Sequence, residues 1–120
     1  MTNWSVLVVE DEIDGQEVVA SILRYHNIHT DIAGDAEAAI NLLSTNHYNC
    51  AVVDLALPGL SGWDLLNIIQ NSGSSMPCVA VTAFHSSDVA MKAIQAGFKA
   101  YFPKPIDPTS FVRQLEYYFA

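Results

Sequence analysis

Short apolar runs alternate along the chain with stretches whose hydrophobic residues recur at helical spacing. Ser5 to Val9 reads as a fully apolar strand, and the helix predicted over Ile13 to Tyr25 carries Val18, Val19, Ile22 and Leu23 on its inner side. His29 to Ala33 reads as a second short strand, Asp35 caps a helix through Leu43, and Cys50 to Val53 is a third strand. Pro58, Gly59 and Gly62 punctuate the loop after Asp54, ahead of a helix over Trp63 to Ile69. After the NSGSS loop come a strand at Val79 to Val81, a helix at Ser86 to Gln95 with Gly97 beyond it, and a strand at Ala100 to Phe102. A last helix is predicted over Pro108 to Phe119. Short apolar strands alternating with helices of about ten residues predict an α/β domain whose parallel sheet is covered on both faces.

Composition narrows this reading. A chain of 120 residues, 51% hydrophobic and 15% charged, suits one compact domain over 1–120 and argues against disorder or a disulfide framework. Thirteen acidic residues against five basic ones disfavour nucleic acid or an anionic membrane as a direct partner. Cys50 and Cys78 lie in apolar runs, where a buried free thiol in a reducing cytoplasm is the simpler expectation. The start MTNWS lacks a signal-peptide pattern, and no apolar stretch reaches membrane-spanning length.

In open parallel sheets ligands gather at the carboxyl ends of strands, which is where Glu10, Asp11, Asp54, Thr82 and Lys104 fall. Three carboxylates converging there would repel unless a hard divalent cation such as Mg²⁺ relieved them, leaving coordination positions open for phosphate. Asp54 is then a candidate nucleophile able to form an acyl phosphate. Lys104 could pair with phosphate oxygens, and the Thr82 hydroxyl could donate to one. The same residues also fit plainer roles: Glu10, Asp11 and Glu12 suit the acidic first turn of a helix, and Asp54 could cap a loop. No glycine-rich phosphate loop or serine nucleophile elbow is present, which counts against a small flavodoxin-like or hydrolytic enzyme.

The ordered set of Glu10 and Asp11, Asp54 with Pro58 and Gly62, Thr82 with Ala83, and Lys104 with Pro105 resembles the receiver domains of two-component response regulators across nearly the whole chain. The resemblance implies a doubly wound, flavodoxin-like sheet of five parallel strands in the order 2-1-3-4-5, with Asp54 as the phosphorylated residue. It implies Mg²⁺, or alternatively Mn²⁺, held by Glu10, Asp11, Asp54 and the backbone carbonyl of Ala56, and a cis peptide between Lys104 and Pro105. Thr82 would move to the phosphoryl group, Lys104 would pair with it, and Tyr101 would be the switch aromatic that follows Thr82. The implied role is a non-enzymatic, phosphorylation-dependent signalling module. Its donor would be a sensor histidine kinase or histidine phosphotransfer protein in a phosphorelay, and its output an unknown downstream protein. A degenerate receiver serving as a constitutive binding scaffold is the alternative.

Several side chains carry smaller expectations. Neither Ala56 nor Phe84, each two residues beyond a reactive position, can orient water, which predicts slow loss of phosphate from Asp54. Phe98 replaces the small alanine of relatives and either adds bulk near the output face or fills a local groove. Helical period turns Phe111, Leu115 and Tyr118 inward and leaves Tyr117 or Phe119 outside. Trp63 would pack the third helix on the sheet, and Trp4 would cover the sheet's amino end. The four histidines lack ligand spacing, with His85 alone placed to sense kinase contact or pH. Arg113 is the sole basic residue of the last helix, which suits a monomer or a weak dimer. The Met1 start fits either a free-standing regulator or the amino-terminal part of a longer one.

Overall fold

The computed structural model describes residues 3–119. Five strands, β1 (Ser5–Val9), β2 (His29–Ala33), β3 (Cys50–Asp54), β4 (Cys78–Thr82) and β5 (Ala100–Pro103), alternate with five helices. The helices are α1 (Ile13–Tyr25), α2 (Ala36–Thr45), α3 (Gly62–Asn71), α4 (Ser87–Ala96) and α5 (Phe111–Phe119). The strands form one parallel sheet in the order β2-β1-β3-β4-β5. This is the flavodoxin-like receiver architecture that the resemblance implies.

Because successive strand residues face opposite ways, the central strands feed two cores. Val6, Val8, Val52, Val79 and Val81 pack against α1 and α5 through Leu23, Phe111 and Leu115. Leu7, Val9, Ala51, Val53 and Ala80 pack on the other face against α2, α3 and α4 through Ala39, Leu65 and Ala93. With both faces covered, β3 and β4 are buried at every position, which is why they read as unbroken apolar runs. Burying a leucine as completely as Leu7, Leu23, Leu65 or Leu115 contributes roughly 1.5–3 kcal/mol each.

Local chemistry sets the boundaries. Asp35 caps α2 by accepting from the Ala38 amide at 2.8 Å, and Ser61 and Asp64 form a reciprocal capping box on α3. Gly97 ends α4 at φ 120°, a conformation that disfavours any side chain.

Three sequence expectations are corrected. The last helix begins at Phe111 rather than Pro108, because the Asp107 carboxylate accepts from the Thr109 amide and the Thr109 and Ser110 hydroxyls and holds residues 108–110 in a turn. Val18 is not an inner residue of α1 but 47% exposed, lining an open groove beside the loop after β5. At the end of α5, Tyr117 is exposed as one of the expected alternatives, but Tyr118 is exposed rather than inward, while Phe119 is partly buried and lies near Trp4 with ring centroids 6.3 Å apart. Phe98 is 2% exposed and meets Trp63 of α3 edge-on, so it fills space within the core and adds no surface bulk. No helix among the described residues is long and apolar enough to cross a membrane.

Candidate functional site

The carboxyl ends of β1, β3, β4 and β5 bring five of the sequence-selected residues to one edge of the sheet. Glu10, Asp54 and Thr82 are buried there, at 4%, 5% and 2% exposure, while Asp11 faces solvent. Glu10, Asp11 and Asp54 each offer a carboxylate oxygen, and these oxygens lie within 4.8 Å of one another. Lys104 reaches across from the end of β5 and donates to Glu10 Oε1 and, at 2.9 Å, to Asp54 Oδ2. The other Asp54 oxygen accepts from the Ala56 amide at 2.9 Å. The Lys104–Pro105 peptide bond is cis.

Close backbone approach shapes this edge. A Cβ on Gly62 would collide with the Asp54 carbonyl and lie 2.8 Å from Leu55 Cα, so only glycine lets α3 start directly beneath the Asp54 loop. The Gly62 amide donates to the Leu55 carbonyl at 3.1 Å and closes that loop. The Lys104 amide similarly donates to the Thr82 carbonyl at 2.9 Å, fixing the lysine's starting point.

Charge in the cluster is unbalanced, because three carboxylates face a single ammonium. Burial pushes the Glu10 carboxyl up to about 7, with Asp54 adding to the rise and Lys104 opposing it. Burial alone would lower Lys104, but the bonds to Glu10 and Asp54 outweigh it and hold its pKa above the usual value. A hard donor set of carboxylate oxygens with excess negative charge fits a divalent cation such as Mg²⁺. When bound, such an ion supplies a positive centre that stabilises charge on phosphoryl oxygens.

Thr82 and Tyr101 make no hydrogen bond to the carboxylates. The Thr82 hydroxyl accepts from the Phe84 amide at 3.0 Å, which leaves its own proton free to donate elsewhere. Tyr101, half-buried, shares a 2.9 Å hydrogen bond between its hydroxyl and His85 Nδ1. Leu55, Ala56, Trp63, Thr82, Phe84 and Val89 line a small apolar hollow of about 160 Å³ beside Thr82. Phe84, 74% exposed, forms part of its rim.

Sequence reasoning passed over two residues and one contact. Gln16 donates to the Glu10 carbonyl at 2.7 Å and pins the strand end. Gly15 lies under the Glu10 carboxylate, and the available signal was a glycine in the first turn of a helix. The His85 to Tyr101 bond joins residues sixteen positions apart and had no local signal. A cleft of about 540 Å³ lies at the opposite, amino end of the sheet near Tyr48, Ser74 and Met76, and no carboxylate, lysine or arginine lines it.

An acidic cluster bridged by a lysine at the carboxyl edge of a 2-1-3-4-5 sheet defines the class, and the chain belongs to the response regulator receiver domain family, matched over residues 6–116. The receiver domain of Francisella response regulator 1452 superposes with a TM-score of 0.90 at 25% identity, covering 98% of this chain and 97% of that one. The two-component response regulator PhoP of Pseudomonas aeruginosa is 35% identical over an alignment of 109 residues that covers 83% of this chain and 44% of PhoP. The response regulator protein PilR of the same organism is 32% identical over 107 residues, 89% of this chain and 24% of PilR. This chain therefore spans less than half the length of either regulator.

Proposed function

We propose that the protein is a phosphorylation-dependent switch in which Asp54 takes a phosphoryl group from a phosphohistidine of a sensor kinase or phosphotransfer protein. An Asp54 oxygen attacks phosphorus, the P–N bond to the donor imidazole breaks, and the imidazole leaves with that electron pair to take up a proton. Loss of phosphate reverses the modification: water attacks phosphorus, the bond to Asp54 breaks, and inorganic phosphate departs. Glu10, Asp11, Asp54 and the Ala56 carbonyl would hold Mg²⁺. Lys104 would follow the charge from the Asp54 carboxylate to the phosphoryl oxygens, and Thr82 would donate to one of them.

The observation that carries this reading is the Lys104 ammonium spanning buried Glu10 and Asp54 at the joint carboxyl edge of β1, β3 and β5. A structural salt bridge would not need a third carboxylate within 4.8 Å, whereas a divalent cation and a phosphoryl group would use all of these groups. For output, phosphate on Asp54 would draw Thr82 inward and release Tyr101 from His85, altering the surface of α4, β5 and α5. The donor would seat on α1, where Ile13 and Val18 are exposed beside an apolar groove of about 400 Å³ that runs up to Lys104.

Intact mass after incubation with acetyl phosphate and Mg²⁺ tests the proposal. One added phosphoryl group is expected, absent from Asp54→Asn and from a metal-chelated sample. No adduct, even when decay is quenched by rapid acidification, would leave the protein a constitutive scaffold.

A further inference from the structure

Gly15 occupies the first turn of α1, where glycine weakens a helix by about 0.5–1 kcal/mol relative to alanine. Backbone conformation does not require it, because Gly15 is not among the residues with positive φ. Its neighbour does. A Cβ at position 15 would collide with Glu10 Oε1 and lie 2.8 Å from Glu10 Cδ. The Glu10 side chain folds back over this bare turn, and the same Oε1 receives Lys104. The Glu10 backbone cannot yield instead, since its amide donates to the Ala33 carbonyl at 3.0 Å and its carbonyl accepts from Gln16 at 2.7 Å.

We infer that Gly15 is a positioning residue: its missing side chain is the space through which the Glu10 carboxylate reaches Lys104, and the resulting pair competes with a divalent cation for Glu10. Glutamate carries its carboxylate one methylene farther than aspartate, so the fold-back over Gly15 belongs to the Glu10 and Gly15 combination. The pair also ties Lys104 down on the side away from solvent, within reach of Asp54. Lys104 occupies Glu10 Oε1 and shares the carboxylate's charge, so a cation at Glu10 contends with it, and a side chain at 15 displaces the carboxylate from Lys104 without replacing any of the three carboxylate residues. The competition rests on the reading of Glu10, Asp11 and Asp54 as the Mg²⁺ set, whereas the positioning of Glu10 does not.

Gly15→Ala, Glu10→Asp and the double variant test both parts. Alanine is the better helix former, so Gly15→Ala retains the fold, which its thermal midpoint checks. In the metal-free protein, proton exchange at the Lys104 ammonium, followed by NMR of lysine labelled at Nζ, should accelerate several-fold in Gly15→Ala. Titration with Mg²⁺ alone, followed by calorimetry, should show binding on the order of three- to tenfold tighter in Gly15→Ala. In the Glu10→Asp background the same alanine should change the Mg²⁺ Kd by less than about twofold, because the shorter carboxylate does not lie over position 15. Unchanged Lys104 exchange in Gly15→Ala overturns the positioning role. An Mg²⁺ affinity that is unchanged or weaker, or that shifts equally in both backgrounds, overturns the competition. A wild-type protein that binds no Mg²⁺ removes the metal reading of the carboxylates and the competition with it, and Lys104 exchange still decides the role of Gly15.

Discussion

At the scale of single residues, Glu10 and Phe84 carry measurable consequences. A carboxyl raised to about 7 in the folded protein, against 4.5 as the ordinary value, binds more protons folded than unfolded between those limits. The metal-free protein therefore loses stability as pH rises through this window; the cost of ionised Glu10 is absent below the lower value and complete above the upper. Thermal midpoints at about pH 5 and about pH 7.5 should show wild type gaining on Glu10→Gln upon acidification, and a constant gap would show that Glu10 does not titrate there. Phe84 is exposed at the rim of the apolar hollow beside Thr82 and offers no polar atom to a water approaching phosphorus. Phe84→Asn should shorten the life of phospho-Asp54 on the order of tenfold, read as the rate of phosphate release. An unchanged rate would place the control of decay elsewhere.

At the scale of elements, the proposed transfer would engage the outer face of α1. Ile13 is 72% exposed and Val18 47%, beside a groove that includes Lys104 and Pro105. Ile13→Asp with Val18→Asp should slow phosphoryl transfer from a protein donor at least about tenfold, while stability moves within about 0.5 kcal/mol per exposed site. Labelling by acetyl phosphate, which needs no docking surface, should be unaffected; slowing with both donors would mean the variant disturbs Asp54 itself. The same helix shows where sequence reading stops. Strand positions such as Val52 and Val79 were legible because burial on both sheet faces leaves an unbroken apolar run. Val18 was not, because helical period reports which side a residue takes and not whether a groove beside it stays open. The start of α5 was missed for a related reason: side-chain bonds from Asp107 compete locally with the helix ladder, and no periodicity records that competition. For the candidate site, strand-end placement located Glu10, Asp54 and Lys104, but Gly15 acquires its meaning only when Glu10 is seen lying over it.

At the scale of the molecule, the sheet separates two cores that share its five strands. Cys50 belongs to the layer of α1 and α5, and Cys78 to the layer of α2, α3 and α4. Both thiols are free and buried, and burial pushes Cys78 up to about 12 and Cys50 higher still, so neither is a reactive thiolate near neutral pH. Each cysteine thus reports the opening of its own layer. A domain of this size is expected to unfold as one unit, because neither helix layer has a core without the central strands. Thiol labelling in a denaturant series, resolved by peptide mass, should give Cys50 and Cys78 the same opening free energy within about 0.5 kcal/mol. Mg²⁺ should slow both equally, since a ligand held across β1 and β3 stabilises the whole folded state by mass action. A Cys78 that labels well before Cys50 would show the α2, α3 and α4 layer opening by itself. The surface change proposed around α4 and β5 would then draw on a local opening rather than on a shift between two fully packed states.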